Sequence, residues 1–394
     1  MSDKKGRNLI PGWRQVKFGD VVQLSKARSQ DPLADGIERY VGLEHLTPGD
    51  LRIRSWGSVS DGTTFTTVFG PGQVLFGKRR AYQRKAAVAD FSGVCSGDIY
   101  VLESKDPMVL LPELLPFICQ TDAFFNHAVG TSAGSLSPRT NWANLAKFEL
   151  MLPPRETQRQ MLSILVCCSL LEDKYELATC RARALLNSHA AARFQHQKYK
   201  LLPLENVLTR PPQSGLYKSA EFLGRGTQVV NMGELFGFDE ISDSVEMKRM
   251  ELTQKELSKY QLGPYDLLFG RRSIVLEGAG KCSVVGKLID PVVFESSILR
   301  VTVDSKIVLP KFIFEWLNSP KGVQLMNRIK KFTTVAGITG SDLKKIPIPL
   351  IPLKEQRAIT HELSSIRNSI HAIAVRKLES RALRKKILNS LLGC

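Results

Sequence analysis

One phrase is spelled twice in this chain, as GPGQVLFGKRR at residues 70–80 and as GPYDLLFGRRS at 263–273. Each copy sets Gly-Pro before an apolar run that ends in Leu-Phe-Gly, then a basic pair: Lys78 and Arg79 in the first, Arg271 and Arg272 in the second. The surroundings repeat in the same order. FGDVV (18–22) parallels LENVL (204–208), RYVGLEHL (39–46) parallels QVVNMGEL (228–235), and LPELLPFICQTD (111–122) parallels LPKFIFEWLNSP (309–320). NLAKFELMLPP (144–154) then parallels DLKKIPIPLIP (342–352). The offset drifts from 186 (Phe18 to Leu204), through 193 (Gly77 to Gly270), to 198 (Leu111 to Leu309), as small loop insertions between two copies of one fold would make it. Two copies with a period near half of 394 residues exclude a solenoid of short repeats and predict tandem domains.

Each copy ends in a different kind of sequence. After Pro153-Pro154 the chain runs through residues 155–194 without Gly or Pro, and Met161, Ile164, Cys168, Leu171 and Tyr175 recur at steps of three and four, the seam of a coiled coil. After Pro352 the pattern returns with Ile359, Leu363, Ile366, Ile370 and Ile373, weakened further on by Lys377, Ser380 and Arg384. A helix of about 40 residues spans roughly 60 Å, more than one head needs to cover its own core, so the two helices are predicted to pair as an antiparallel coiled coil. The expected division is a head at 1–153, a helix at 154–198, a second head at 199–352 and a second helix at 353–394. The heads read as mixed α/β (α+β): QVLF, DIYVLE, CSVVGKLI and SSILRVTV have strand character, whereas LPELLPFICQTDAFFNHAV and PKFIFEWLNSPKGVQLMNRI have helical periodicity.

The balance of 55 Lys+Arg against 38 Asp+Glu, net +17 with a pI near 9.6, favours a polyanionic partner. Seven cysteines without paired spacing read as reduced core thiols, and no apolar run is long enough for a membrane span, so a cytoplasmic protein without a membrane partner is expected. A search for catalytic chemistry finds little. GAGKC (278–282) lacks the upstream Gly and the hydroxyl residue of a phosphate-binding loop, and THELSS (360–365) lacks the second His of a zinc-protease helix. Asp239, Glu246 and Lys248 could be forced into a nuclease site, but a charged loop is the simpler reading. No catalytic, cofactor-binding or metal-binding residue is assigned.

What remains is charge on loops. Lys78, Arg79, Arg80, Arg84 and Lys85 surround Tyr82 and Gln83, a mixture able to contact phosphates and base edges of double-stranded DNA. The second copy offers Arg271, Arg272 and Ser273, and within each set Arg79 and Arg271 are the favoured contacts. A second candidate surface lies in GTSAGSLSPRTNWANLAK (130–147) and RIKKFTTVAGITGSDLKK (328–345), with Arg139, Asn141, Lys330, Lys331, Thr333 and Thr334; helix caps before Leu145 and Leu343 read equally well there.

Two divergent heads, each followed by a Pro-led helix opening with Gln-Arg (TQRQM at 157–161, EQRAI at 355–359), together with VLFGKRR and LLFGRR, resemble the specificity subunit of a type I restriction-modification system. The resemblance covers residues 12 to 392 and is sharpest in PLKEQRAI (352–359). The first copy departs, reading as though PPRETQRQM carries an inserted residue, with Thr157 where Glu355 stands. The resemblance implies two target recognition domains, each reading one part of a split DNA sequence, and two antiparallel helices that set the spacer. It further implies docking of two modification subunits, which carry S-adenosylmethionine, and through them of motor-nuclease restriction subunits, with ATP and magnesium also on the partners. The competing expectations are a fused DNA methyltransferase or nuclease, and a scaffold that does not bind DNA.

Overall fold

The computed structural model describes residues 11–195, 199–332 and 335–391. The chain divides into two compact units, one holding residues up to Glu176 together with those from Val375 onward, the other Leu177–Ala374. This division cuts through both long helices, Arg155–Phe194 and Leu353–Leu391, and not at residues 154 and 353.

In each unit the repeated phrase is the central strand of a sheet. Val74–Gly77 pairs antiparallel with Ala86–Val88 on one side and Ile99–Ser104 on the other, and Leu267–Gly270 does the same with Cys282–Val285 and Ile298–Val301. Every residue of both central strands is buried, which is why they read as unbroken apolar runs and not as alternating ones. The remaining strands form further small sheets, and each head is closed by an antiparallel pair of its first and last strands: Arg14–Lys17 with Glu149–Leu152, and Lys200–Pro203 with Pro347–Leu350. The helices after the sheets begin at equivalent caps. Thr121 accepts from the amide of Phe124 at 3.2 Å and Ser319 from that of Gly322 at 3.1 Å, satisfying one open donor at each helix start. Phe18, Phe76, Phe124, Phe125 and Phe148 fill the first core, and Phe269, Phe312, Trp316 and Leu343 the second.

Each long helix is locked to the head before it by one buried glutamine. Gln158 Oε1 accepts from Leu111 N at 2.9 Å, while its Nε2 donates to Val109 O at 2.9 Å and Pro153 O at 3.0 Å. Gln356 repeats all three bonds, with Leu309 N at 2.8 Å, Ile307 O at 3.0 Å and Ile351 O at 2.9 Å. All four pairs of equivalent residues are separated by 198 positions, so the first helix entry carries no inserted residue; Pro153 stands where Ile351 stands. The substitution of Thr157 for Glu355 costs the first copy one bond, from Tyr199 to Glu355 in the second unit, and leaves the latch intact.

The expected seam is redistributed. Met161 joins the first head's core with Leu165, and Ile359 and Leu363 join the second head's. Ile164 and Leu171 lie at 47% and 43% exposure, outside any seam. Cys168, Tyr175, Ile366, Ile370 and Ile373 are half-buried. Where the helices meet within the first unit, Ser169, Glu172 and Glu176 face Arg384, Arg381 and Lys377 in descending order, an antiparallel contact made by charge. Within the second unit Glu362 receives His189 Nε2 at 3.0 Å and Arg193 Nε at 2.8 Å. Lys377 and Arg384, which weaken an apolar reading of the helix, are therefore the residues that join it to its neighbour.

Asp239 does not belong to a metal-binding cluster. Its carboxylate meets Lys281 Nζ at 2.8 Å and Arg367 Nη1 at 3.0 Å, and Arg367 Nη2 also reaches the buried Glu315 at 2.8 Å. Burial opposes ionisation of Asp239, and the two cations outweigh it, holding the carboxyl below its ordinary range. Among the described residues no group of three or more His, Cys, Asp or Glu could hold a metal ion. Cys95, Cys119 and Cys282 are buried thiols as expected, but Cys167 and Cys180 are exposed on the first long helix.

Two stability outcomes follow from these contacts. Gln158→Ala and Gln356→Ala should each destabilise their own unit, by about 1–3 kcal/mol for every buried backbone group left without a partner, as read by denaturant unfolding. Arg367→Ala should cost about 3–5 kcal/mol in the second unit, because it leaves Glu315 as an uncompensated buried charge; Arg367→Ala with Glu315→Gln should recover part of that loss.

Candidate nucleic-acid interface

The two surfaces marked in the sequence are one surface in each head. The basic pair follows directly on the buried central strand, so its backbone leaves a rigid base, and the loop before the last short helix lies alongside it. In the first head Arg79 bridges antiparallel to Arg139, with Thr140 N donating to Lys78 O at 3.0 Å. In the second head Arg272 pairs antiparallel with Gly337, and Ile338 N donates to Arg271 O at 3.0 Å. The equivalence extends to the helix caps, where Asn141 accepts from Asn144 N at 2.8 Å and Thr339 from Asp342 N at 3.0 Å. Asn141 therefore fills a capping role, one of the two uses its position allows.

Side chains on this shared frame differ. In the first head Arg79 Nη1 and Arg139 Nε converge on Asp98, at 3.1 and 2.8 Å, and Ser137 Oγ accepts from Arg79 Nη2 at 3.1 Å and Arg80 Nη2 at 3.2 Å. Burial alone would raise the Asp98 carboxyl, and the hydrogen bonds from Arg139 and Arg79 more than reverse it, keeping it ionised below the usual range. Two guanidiniums on one carboxylate, with Arg80 held beside them by Ser137, leave a positive surplus in a fixed geometry. Arg79 spends both terminal nitrogens inside the cluster, whereas Arg139 uses its Nε and stands 52% exposed. Of the two, Arg139 keeps both terminal nitrogens outside these bonds, whereas the favoured Arg79 does not.

The other predicted basic residues are largely engaged. Lys78 Nζ lies 4.7 Å from the Tyr100 ring centre, Lys85 Nζ donates to Leu43 O at 2.7 Å, and the Arg84 guanidinium stacks 4.8 Å from Phe125 while pairing with Asp122. Asp122 also receives Lys385 and Asn389 from the end of the second long helix, each at 3.1 Å. Between Arg80 and Arg84, both in the left-handed region at φ 54° and 56°, a single turn Ala81–Gln83 holds half-buried Gln83 and presents Tyr82 to solvent.

In the second head no carboxylate among the described residues pairs with Arg271 or Arg272. Arg271 Nη1 reaches only a backbone oxygen, Ser296 O at 3.4 Å, Arg272 is exposed, and Ser273 Oγ accepts from Val275 N at 3.2 Å within its own loop. Within this pair Arg272 is more exposed than the favoured Arg271. Arg271, Arg272, Lys331, Ala336, Gly337 and Thr339 line one cleft, with Lys331 Nζ 3.2 Å from Asp342. Lys330 is half-buried beside it, and burial pushes its ammonium down despite Glu277. Thr333 and Thr334 lie outside the described residues. Asp98 and Ser137 were absent from the sequence reading; the signal for Ser137 was its place in SPRT, two positions before Arg139.

Comparison with known proteins bears on this arrangement. The family model for the type I restriction modification DNA specificity domain matches residues 11–168 and again 216–380. The type I restriction enzyme EcoKI specificity subunit of Escherichia coli (strain K12) is 28% identical over 174 residues, 44% of this chain and 37% of that protein, so the match spans well under half of that relative's length. The type I restriction enzyme MjaVIII specificity subunit of Methanocaldococcus jannaschii is 21% identical over 98% of this chain and 93% of its own. A solved chain, described in a study of complex assembly and conformational transition of the type I R-M system, shares the fold with a TM-score of 0.60 at 19% identity, covering 98% of this chain and 99% of that one.

The Asp98 clamp makes a pH-dependent outcome. Its folded pKa is depressed, so its contribution to stability is present above the unfolded value of about 4 and is lost as pH falls through the lower folded value. Asp98→Asn should lower the melting temperature at neutral pH and flatten its fall between roughly pH 5 and pH 2, measured by thermal unfolding across that range.

Proposed function

We infer that this chain, which belongs to the type I restriction modification DNA specificity family, is the sequence-reading subunit of such a system, each head recognising one part of a split duplex target. The observation that carries this reading is the repeated frame: in both heads a basic pair at the end of a buried strand is fastened to the loop before the last short helix, once as Arg79 with Arg139 and once as Arg272 with Gly337. The frame is common and the side chains on it differ, so the two parts of the target are expected to differ in sequence. Excess Lys and Arg supply salt-sensitive attraction to phosphates, and base-edge contacts supply the choice.

The long helices set the separation of the two parts and carry the docking of two modification subunits, with restriction subunits held through them. Antiparallel ion pairs between the helices within each unit support the first role. Ile164, Val166, Leu170 and Leu171, exposed on one helix, support the second. On this reading S-adenosylmethionine, ATP and magnesium belong to the partner subunits, the chain itself performs no catalysis, and the complex works in the cytoplasm. Among the described residues no helix is long and apolar enough to cross a membrane.

The test is selection from a random-sequence duplex pool, using the chain alone and with the modification subunits of its own system. Recovery of two short motifs at a constant gap supports the reading. One uninterrupted motif, or turnover of DNA by the chain alone with magnesium and S-adenosylmethionine, contradicts it. On the selected duplex Arg139→Ala and Arg272→Ala should each weaken binding by about 1–3 kcal/mol. A guanine contact relaxes choice at a single base pair of one half-site; a phosphate contact weakens all sequences alike and lowers the slope of log K against log salt by about one.

A further inference from the structure

The loop that carries the basic pair in each head also carries an apolar side chain that nothing in its own head covers. In the second head the loop joins the paired strands Leu267–Gly270 and Cys282–Val285, and its tip is Ile274, Val275 and Leu276, exposed at 89%, 49% and 48%. A single exposed isoleucine is ordinary; three consecutive exposed apolar residues at a loop tip are not, unless something binds them. The loop is also closed. Gly280 N donates to Gly270 O at 2.8 Å and Gly270 N to Lys281 O at 2.9 Å, while a Cβ on Gly278 would meet Ser273 Oγ at 2.2 Å. A tip tied down this tightly at its base holds Ile274 outward.

The first head reaches the same result by other means. Its loop joins Val74–Gly77 to Ala86–Val88, and the turn Ala81–Gln83 is flanked by two arginines in the left-handed region, a conformation that non-glycine residues adopt only where the surroundings enforce it. The surroundings are visible: Arg80 is held by Ser137, and Arg84 by Asp122 and the Phe125 ring. What the strained turn presents is Tyr82, 55% exposed. Two loops of different sequence at equivalent places, each braced and each beside the basic pair, thus display a bulky apolar group.

We propose that Tyr82 and Ile274 are wedges that press into the DNA duplex between neighbouring bases while the available arginines beside them, Arg139 in one head and Arg272 in the other, hold the duplex, so that each head also reads how readily its half-site unstacks. The proposal rests on the DNA-reading function above. Its chemistry is that of apolar side chains inserted at base steps, where the energy of unstacking depends on the sequence being opened and gives choice at positions that no hydrogen bond touches. Charge complementarity commits the tips to nucleic acid: Ile274 follows Arg271 and Arg272, and Tyr82 lies between Arg80 and Arg84.

The test uses the full chain with its modification subunits and the duplex recovered by selection, with 2-aminopurine placed in turn along each half-site. In the wild-type complex fluorescence should rise at one step in each half-site. Tyr82→Ala should abolish the rise in one half-site and Ile274→Ser in the other, each with roughly tenfold weaker binding and an unchanged slope of log K against log salt. Tyr82→Phe and Ile274→Leu should keep both properties. No fluorescence rise in the wild type, or variants that bind as tightly as the wild type, would overturn the wedge while leaving the DNA-reading function standing. A loss of affinity with a shallower salt slope would also overturn it, since the loop would then act through its arginines. If the pool yields no sequence at all, the DNA-reading function fails, and the wedge with it.

Discussion

The join between each head and its long helix rests on a side-chain amide with three backbone partners. A glutamine four residues after the proline that opens the long helix turns back and satisfies one N–H and two C=O groups of its own head, in the first copy through Gln158 and in the second through Gln356. A buried amide so fully satisfied carries no desolvation penalty, and removing it would strand three polar groups at once. Because the partners are backbone atoms, Val109 and Pro153 can stand where Ile307 and Ile351 stand without changing a bond. The heads are free to diverge around a helix entry that stays the same.

The candidate interface follows the same logic. Backbone bonds between the basic pair and the loop before the last short helix are common to both copies, so the frame persists while the side chains on it vary. In one copy a carboxylate, Asp98, holds two guanidiniums in fixed positions; in the other the pair is unclamped and lines a cleft with Lys331. A fixed cluster and an open one thus present different donors at equivalent places on a constant scaffold.

The duplication, the mixed α/β heads and the long helices were legible because each rests on local pattern: a repeated phrase, buried strands as apolar runs, and 40 residues without Gly or Pro. Both loops of the interface were legible too, but not that they are one surface, since the bridge between Arg79 and Arg139 spans 60 positions and leaves no local trace. The same holds for Asp98, whose partners lie on both sides of it in sequence. Which guanidinium keeps spare donors is not written in the sequence for a related reason: it depends on where the nearest carboxylate falls. Periodicity reports that a helix has a stripe and not what covers it. Met161 and Leu363 lie in the cores of their own heads, joined there by Leu388 and Ala190 of the other long helix, and Ile164 is about half exposed.

That last difference has a physical consequence for the helices. Paired by Glu172 with Arg381 and Arg384, and by Glu362 with His189 and Arg193, they meet through groups that give up hydration to do so, and such contacts add little net stability while fixing register well. An apolar seam would have spent the helices' hydrophobic surface on each other. Here only part of it is spent so, Leu388 sharing a core with Met161 and Leu165 and Ala190 with Ile359 and Leu363, while Ile164, Val166, Leu170 and Leu171 on the first helix and Leu378 and Leu383 on the second stay exposed. At about 3.6 residues per turn Ile164 and Leu171 share one face of their helix and Val166 and Leu170 another, so the charged contact between the helices leaves apolar side chains exposed on more than one side.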